Sequence, residues 1–241
     1  MNKYMSRVVT KIAMKGIASG LRMPRSARFE SAYQHGRTLD EMVRRQINVV
    51  IDVGANRGHY ARHLRMLGYS GHILSFEPDP DTFRQLQVMA KGDALWWTFN
   101  AALGSVKGSM DFNVVDSGGE TVLSSFLRPI GDFPTRIVGV DVSTVRDALH
   151  DSRLPADPRV FLKMDTQGYD LEVFAGAMGV STIVMIQSEV SVIPIYEEMP
   201  SYLDALATYH AAGFSLLDLF IVHRTAGGGV LEYDALLAQT I

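Results

Sequence analysis

From about residue 38 onward, short apolar runs rich in β-branched residues alternate with segments of helical spacing, and this alternation limits the fold more than any other feature. Strands joined through helices run parallel and need helices over both faces. The pattern therefore predicts an α/β domain on a mostly parallel sheet. Strands are expected at 48–53 (NVVIDV), 72–76 (HILSF), 94–100 (ALWWTFN), 137–142, 159–165 (RVFLKMD), 182–190 (TIVMIQSEV), 214–220 (FSLLDLF) and about 229–238. Helices are expected at 58–67 with Ala61, Leu64 and Leu67 inward, after Pro80 with Asp79 and Asp81 at its acidic start, after a Ser143 or Thr144 cap, at 168–177 and at 200–212. The stretch 108–115 (GSMDFNVV) alternates like an antiparallel strand and 116–126 has loop chemistry, so 104–136 is expected to be an insertion or lid.

A chain of 241 residues with 47% hydrophobic composition can bury one sizeable core, so 38–241 is expected to be a single domain. Residues 1–37 are expected to form a separate basic arm, helical in its spacing: Lys3, Arg7, Lys11 and Lys15 recur every four residues, and Val9, Ala13 and Ile17 fall on another face. Between residues 1 and 29 there are seven basic residues and no acid. Such a helix suits peripheral contact with an anionic membrane, or a cover over the domain. With no cysteine there is no thiolate metal site, and the net charge of −3 argues against a nucleic-acid partner. No apolar run approaches the roughly 18 residues of a membrane span and no signal peptide is visible, so a cytoplasmic setting is expected, with membrane association through the arm.

Ligands of open parallel sheets bind beyond the carboxyl ends of the strands, which makes the residues there the candidates. After the first strand stand Asp52, Gly54, Ala55, Asn56 and Gly58; after the second, Glu77 and Pro78; after the third, Asn100 and Ala101, placed to border an adenine. Glu77 lies near the offset at which an acid meets ribose hydroxyls. A dinucleotide such as NAD prefers G-x-G-x-x-G, because its pyrophosphate rests on a helix start. Here Gly54 and Gly58 give G-x-x-x-G, with Asp52 two residues earlier, and an acid there suits the cationic S-adenosylmethionine. For methylation of a hydroxyl on a small molecule, Asp165 is the first candidate for taking the proton, or for holding a divalent metal with Glu189. A helix cap is the competing role for Asp165. His59 is a further candidate base, and His210 and His223 have weaker claims. IPIYEEMP (193–200) is expected to wall the acceptor, and Trp96 and Trp97 to face the core and a helix. An NAD-dependent oxidoreductase and a non-catalytic binding module are the alternatives.

Six blocks in order, VIDVGANRGHYARHLR, ILSFEPDPDTFRQL, NAALGS, FLKMDTQGYDLEVFAGA, SEVSVIPIYEEMPSYLDAL and LEYDALL, resemble the FkbM family of S-adenosylmethionine-dependent methyltransferases over about residues 47 to 237. The resemblance implies the class I methyltransferase Rossmann-like fold: seven mostly parallel strands, helices on both faces and an antiparallel last strand. It also implies O-methylation, often of a sugar in a glycolipid, polysaccharide or secondary metabolite. Gln167 stands where the family frequently has Glu, which places in doubt any role there that needs a charge.

Overall fold

The structure is a computed structural model that describes residues 27–115, 123–150 and 153–240. The helix expected from Lys3 onward, and with it most of the basic arm, lies outside the described residues, as does the loop at 116–122. The chain divides into two compact units, residues 1–34 and 35–241. Described residues of the first belong to helix α1 (Ala27–Arg44), which continues into the second.

The second unit runs β1 (Val49–Val53), α2 (His59–Met66), β2 (His72–Phe76), α3 (Pro80–Ala90), β3 (Trp96–Phe99), β4 (Ala102–Leu103), β5 (Gly108–Val115), β6 (Thr135–Ser143), α4 (Val145–Ala148), β7 (Val160–Met164), α5 (Asp170–Ala175), β8 (Ile183–Ser191), α6 (Tyr202–Ala211), β9 (Phe214–Arg224) and β10 (Val230–Gln239). Seven strands form one sheet in the order β3-β2-β1-β7-β8-β10-β9. It is parallel except for β10, which is antiparallel to both neighbours. Chain order reverses between β1 and β7, where a crevice for a ligand opens in sheets of this kind.

The strand expected at 137–142 exists as β6 but stands outside that sheet, in a three-stranded one ordered β4-β6-β5. Its side chains explain the difference. Val140 and Val142 are buried while Ile137 is exposed, the one-sided burial that an antiparallel strand tolerates and a central parallel strand does not.

In β1 every residue is buried, as a strand covered on both faces requires. Val49, Ile51 and Val53 join Leu162, Met164 and Ile186 in one cluster, and Val50 joins Ile73, Phe161, Met185, Leu64 and Leu86 in the other. Alternate pointing along a strand produces this division, and each such side chain stabilises the fold by roughly 1.5–3 kcal/mol. Ala61 and Leu64 of α2 face inward. Leu67, expected inward as well, is 45% exposed, because the helix ends at Met66 and Gly68 (φ 95°) turns the chain away.

Both expected helix starts are present and capped. The carboxylate of Asp79 accepts from the Thr82 amide at 3.1 Å with Pro80 in the first turn, and Thr144 Oγ1 accepts from the Asp147 amide at 3.1 Å. Trp96 is buried and donates its indole N–H to Ser75 Oγ at 3.0 Å; Trp97 lies 4.3 Å under the Arg153 guanidinium.

Candidate active site

The turn after β1 needs left-handed backbone at Gly54 (φ 72°), Asn56 (φ 47°) and Gly58 (φ 83°). At Gly54 there is a second demand, since a Cβ there would lie 2.0 Å from the carbonyl oxygen of Asp165. The amides of Gly54 and Ala55 both donate to the Phe76 carbonyl, at 3.1 and 3.0 Å. The ends of β1, β2 and β7 are thereby drawn together.

Beyond these ends lies a cavity of ≈ 300 Å³, within the size range of small-molecule sites. Gly54, Asn56, Glu77, Pro78, Ala102 and Leu103 line one part of it. An aromatic wall follows, with Phe126 4.7 Å from Tyr169 and 5.1 Å from Phe112 between ring centroids. Asp165, Gln167, Glu189, His223 and Glu232 also line the cavity.

Gly54, Asn56, Glu77, Pro78, Asp165 and Glu189 of the expected residues therefore share this cavity. The others do not line it. Asp52 lies beneath, fully buried, because register places it beside Ser75 and Lys163 on one face of the sheet. Its Oδ1 is 3.1 Å from Lys163 Nζ, and Ser75 Oγ donates to its Oδ2 at 3.3 Å. Ala55 packs into the core and Gly58 against Leu86 and Trp96. The Asn100 amide donates to the carbonyls of Glu77 and Pro78 (2.9 and 3.0 Å), so it braces the loop after β2, and Ala102 and Leu103 take the wall position expected of Asn100 and Ala101. His59 is exposed at the start of α2.

Glu77 accepts from the Asn56 amide with one oxygen and the Asp79 amide with the other, each at 2.9 Å. Burial pushes its carboxyl up to about 7; the two amides pull it back, and Asp79 and Asp52 add to the rise. The native state then holds this proton more tightly than the unfolded chain, so stability falls as pH rises from the ordinary carboxyl range to about 7 and is level above. Glu77→Gln is expected to remove a decline of about 3 kcal/mol between pH 4.5 and 7, read from urea midpoints at intervals of pH. An unchanged slope in the variant would assign the decline to other groups.

Lys163 was not singled out in the sequence, although two-residue alternation in LKMD puts it on the face of Asp165. Burial works against its charge, but Asp165 (3.2 Å) and Asp52 outweigh burial and hold the ammonium charged. The Gln167 amide nitrogen lies 2.6 Å from Glu189 Oε2 and 3.3 Å from Asp165 Oδ1, bridging the two carboxylates. A Glu in its place could not donate to either. Its own oxygen is 2.9 Å from the hydroxyl of Tyr196, so the 193–200 segment reaches the site as a brace. Burial raises the Glu189 carboxyl well above its ordinary range, and Asp165, Glu232, Asp234 and Asp170 add to this.

Asp165 does not cap α5, whose cap position is Tyr169 and has no side-chain cap hydrogen bond. Asp170 accepts from the Thr166 amide at 2.9 Å and, with its other oxygen, from the Glu189 amide (3.1 Å) and Ser188 Oγ (2.7 Å), tying the ends of β7 and β8 together. Glu232 and His223 were also missed as a pair. They meet here because β10 is antiparallel and begins where β8 ends. The nearest ligand atoms of Glu189, His223 and Glu232 all lie within 4.8 Å of one another.

Seven strands in this order, with a cavity at the reversal point, define the class I methyltransferase fold. The family model for the methyltransferase FkbM domain matches residues 52–216, and the chain belongs to this family. Among solved structures, the METTL16 MTase domain is similar in fold at 10% identity and TM-score 0.51, over 90% of this chain and 70% of that one. Also similar are the 1,6-didemethyltoxoflavin-N1-methyltransferase of Burkholderia thailandensis, solved with 1,6-didemethyltoxoflavin and S-adenosylhomocysteine bound (12% identity, 99% and 90% of the two chains, TM-score 0.45), and the precorrin-6y C5,15-methyltransferase of Geobacter metallireducens GS-15 (13%, 81% and 81%, 0.45). No curated protein sequence matches the chain. Among the described residues, no helix is long and apolar enough to cross a membrane.

Proposed function

We propose that the protein moves a methyl group from S-adenosylmethionine to a hydroxyl of a small polyhydroxylated molecule, a sugar of a glycolipid, polysaccharide or secondary metabolite. The acidic lining of the cavity carries this reading. Its polar lining includes the carboxyl groups of Glu77, Asp165, Glu189 and Glu232 and, among the described residues, no lysine or arginine, while Lys163 is enclosed beneath. A sulfonium ion and an amino group suit such a site; a diphosphate or nucleic-acid backbone is repelled by it. NAD is disfavoured on the same ground, and by the position of Gly58 outside the cavity.

The residues fit the cofactor. Each oxygen of Glu77 takes one backbone amide and keeps a lone pair for a ribose hydroxyl. Pro78, Ala102 and Leu103 offer apolar surface to a purine, and the bare turn at Gly54 and Asn56 lets the backbone approach the amino-acid part. When bound, the cofactor supplies an electrophilic methyl group. Asp165 accepts a hydrogen bond from the acceptor hydroxyl and fixes its direction, which is the larger part of what positioning contributes. The Lys163 ammonium, 3.2 Å from Asp165, supplies there the positive charge that a divalent metal at Asp165 and Glu189 would bring.

The test is incubation with methyl-labelled cofactor and a metabolite extract, with and without chelator, followed by mass analysis for a hydroxyl that gains one CH2. Asp165→Asn is expected to lower turnover about 100-fold while calorimetric affinity for S-adenosylhomocysteine persists. Activity lost to chelator and restored by a divalent ion would establish the metal reading. Transfer to no acceptor in any extract would favour a silent binding module.

A further inference from the structure

We infer that His223, held by Glu232, is the base that takes the proton of the acceptor hydroxyl. The inference rests on the hydroxyl-transfer reading above and adds to it a residue from the last two strands. His223 lines the cavity, and its Nδ1 is 2.9 Å from Glu232 Oε2. Glu232 is buried, and its other oxygen accepts from Ser191 Oγ at 3.0 Å, so the carboxylate is fixed from behind. A carboxylate only accepts. Nδ1 is therefore the protonated nitrogen, and the lone pair of Nε2 is left for a substrate. A buried carboxylate behind an imidazole sets its tautomer and stabilises the cation formed when it takes a proton, the arrangement seen in hydrolase triads.

The alternatives in the cavity are less suited to removing a proton. Asp165 is paired with Lys163 and bonded to Gln167, and Glu189 is tied to Gln167. Among the described residues the His223 ring is bonded to Glu232 through Nδ1, and 65% of its side chain is accessible. In the step, the acceptor O–H bond breaks and its proton goes to Nε2. The oxygen forms the new O–C bond as the C–S bond breaks, and that electron pair stays on sulfur. The imidazolium, paired with Glu232, afterwards releases the proton to water.

Two measurements test this. Long-range proton–nitrogen NMR of the histidine side chains of the full chain should show His223 protonated at Nδ1 when neutral, with a Glu232→Ala variant losing that preference. An Nε2-protonated ring, or one indifferent to Glu232→Ala, would overturn the pairing. Turnover is then followed with methyl glucoside and methyl rhamnoside as hydroxyl probes and with 4-nitrocatechol, whose hydroxyl is already ionised near neutral pH. His223→Gln should lose 100-fold or more on the glycosides, with KM and cofactor affinity little changed, and less than 10-fold on the catechol. Equal losses on both kinds of acceptor, full activity of the variant on a glycoside, or a chelator-sensitive activity restored by Mn2+ would overturn the assignment. If wild type transfers only to amines or carbon, the hydroxyl reading fails and the base assignment with it, whereas the NMR result still reports separately on the pair.

Discussion

Lys163→Met is expected to destabilise the protein by about 3–5 kcal/mol, the cost of leaving a buried charge without its partner. Asp52 has no accessible surface, and in the variant its carboxylate would keep only the 3.3 Å bond from Ser75. Asp165 loses the same ammonium but, with 41% of its side chain accessible, turns to water. Asp52→Asn combined with Lys163→Met should recover most of the loss, because no unpaired charge is then enclosed and the two sites are coupled. Urea midpoints of the wild type, both single variants and the double variant measure this. A loss below about 1 kcal/mol for Lys163→Met would mean that the carboxylate finds water the structure does not give it.

Gly54→Ala is expected to cost at least about 2 kcal/mol and to weaken S-adenosylhomocysteine binding about 100-fold. Part of the cost is the left-handed backbone, about 1–2 kcal/mol for a residue with a Cβ. The rest is contact, since the new carbon would lie 2.0 Å from the Asp165 carbonyl oxygen, and backbone cannot step aside as a side chain can. Relief requires the ends of β1 and β7 to separate, which widens the floor of the cavity and moves Asp165. Gly213→Ala supplies the comparison: φ is 90° there and nothing lies within 4 Å, so strain acts alone. Should both variants lose the same stability and bind cofactor alike, the close approach at Gly54 would be immaterial.

Much of the site was legible where its residues follow a strand directly. Gly54, Asn56, Glu77 and Pro78 line the cavity where the sequence led one to look, because a strand end followed by a turn is a local feature, written in neighbouring residues. Asp165 and Glu189 line it for the same reason, and Gln167 joins them. Asp52 was placed in the ligand site from its closeness in sequence to Gly54. A strand alternates its side chains between faces, and pairing register with β7 turned this one toward Lys163. Asn100 and Ala101 missed the wall by one or two residues, a distance over which a turn changes direction.

The sequence by itself determined the alternation of strands and helices, the caps at Asp79 and Thr144, the glycine turn and membership of a methyltransferase family, because each depends on residues close together or on a matched series of blocks. Only tertiary structure decided that Lys163 neutralises Asp52, that Asp170 rather than Asp165 ties the strand ends, and that His223 and Glu232 reach the cavity. These are meetings between strands distant along the chain, fixed by register and by the antiparallel run of β10. Spacing along one strand carries no record of what its neighbour presents.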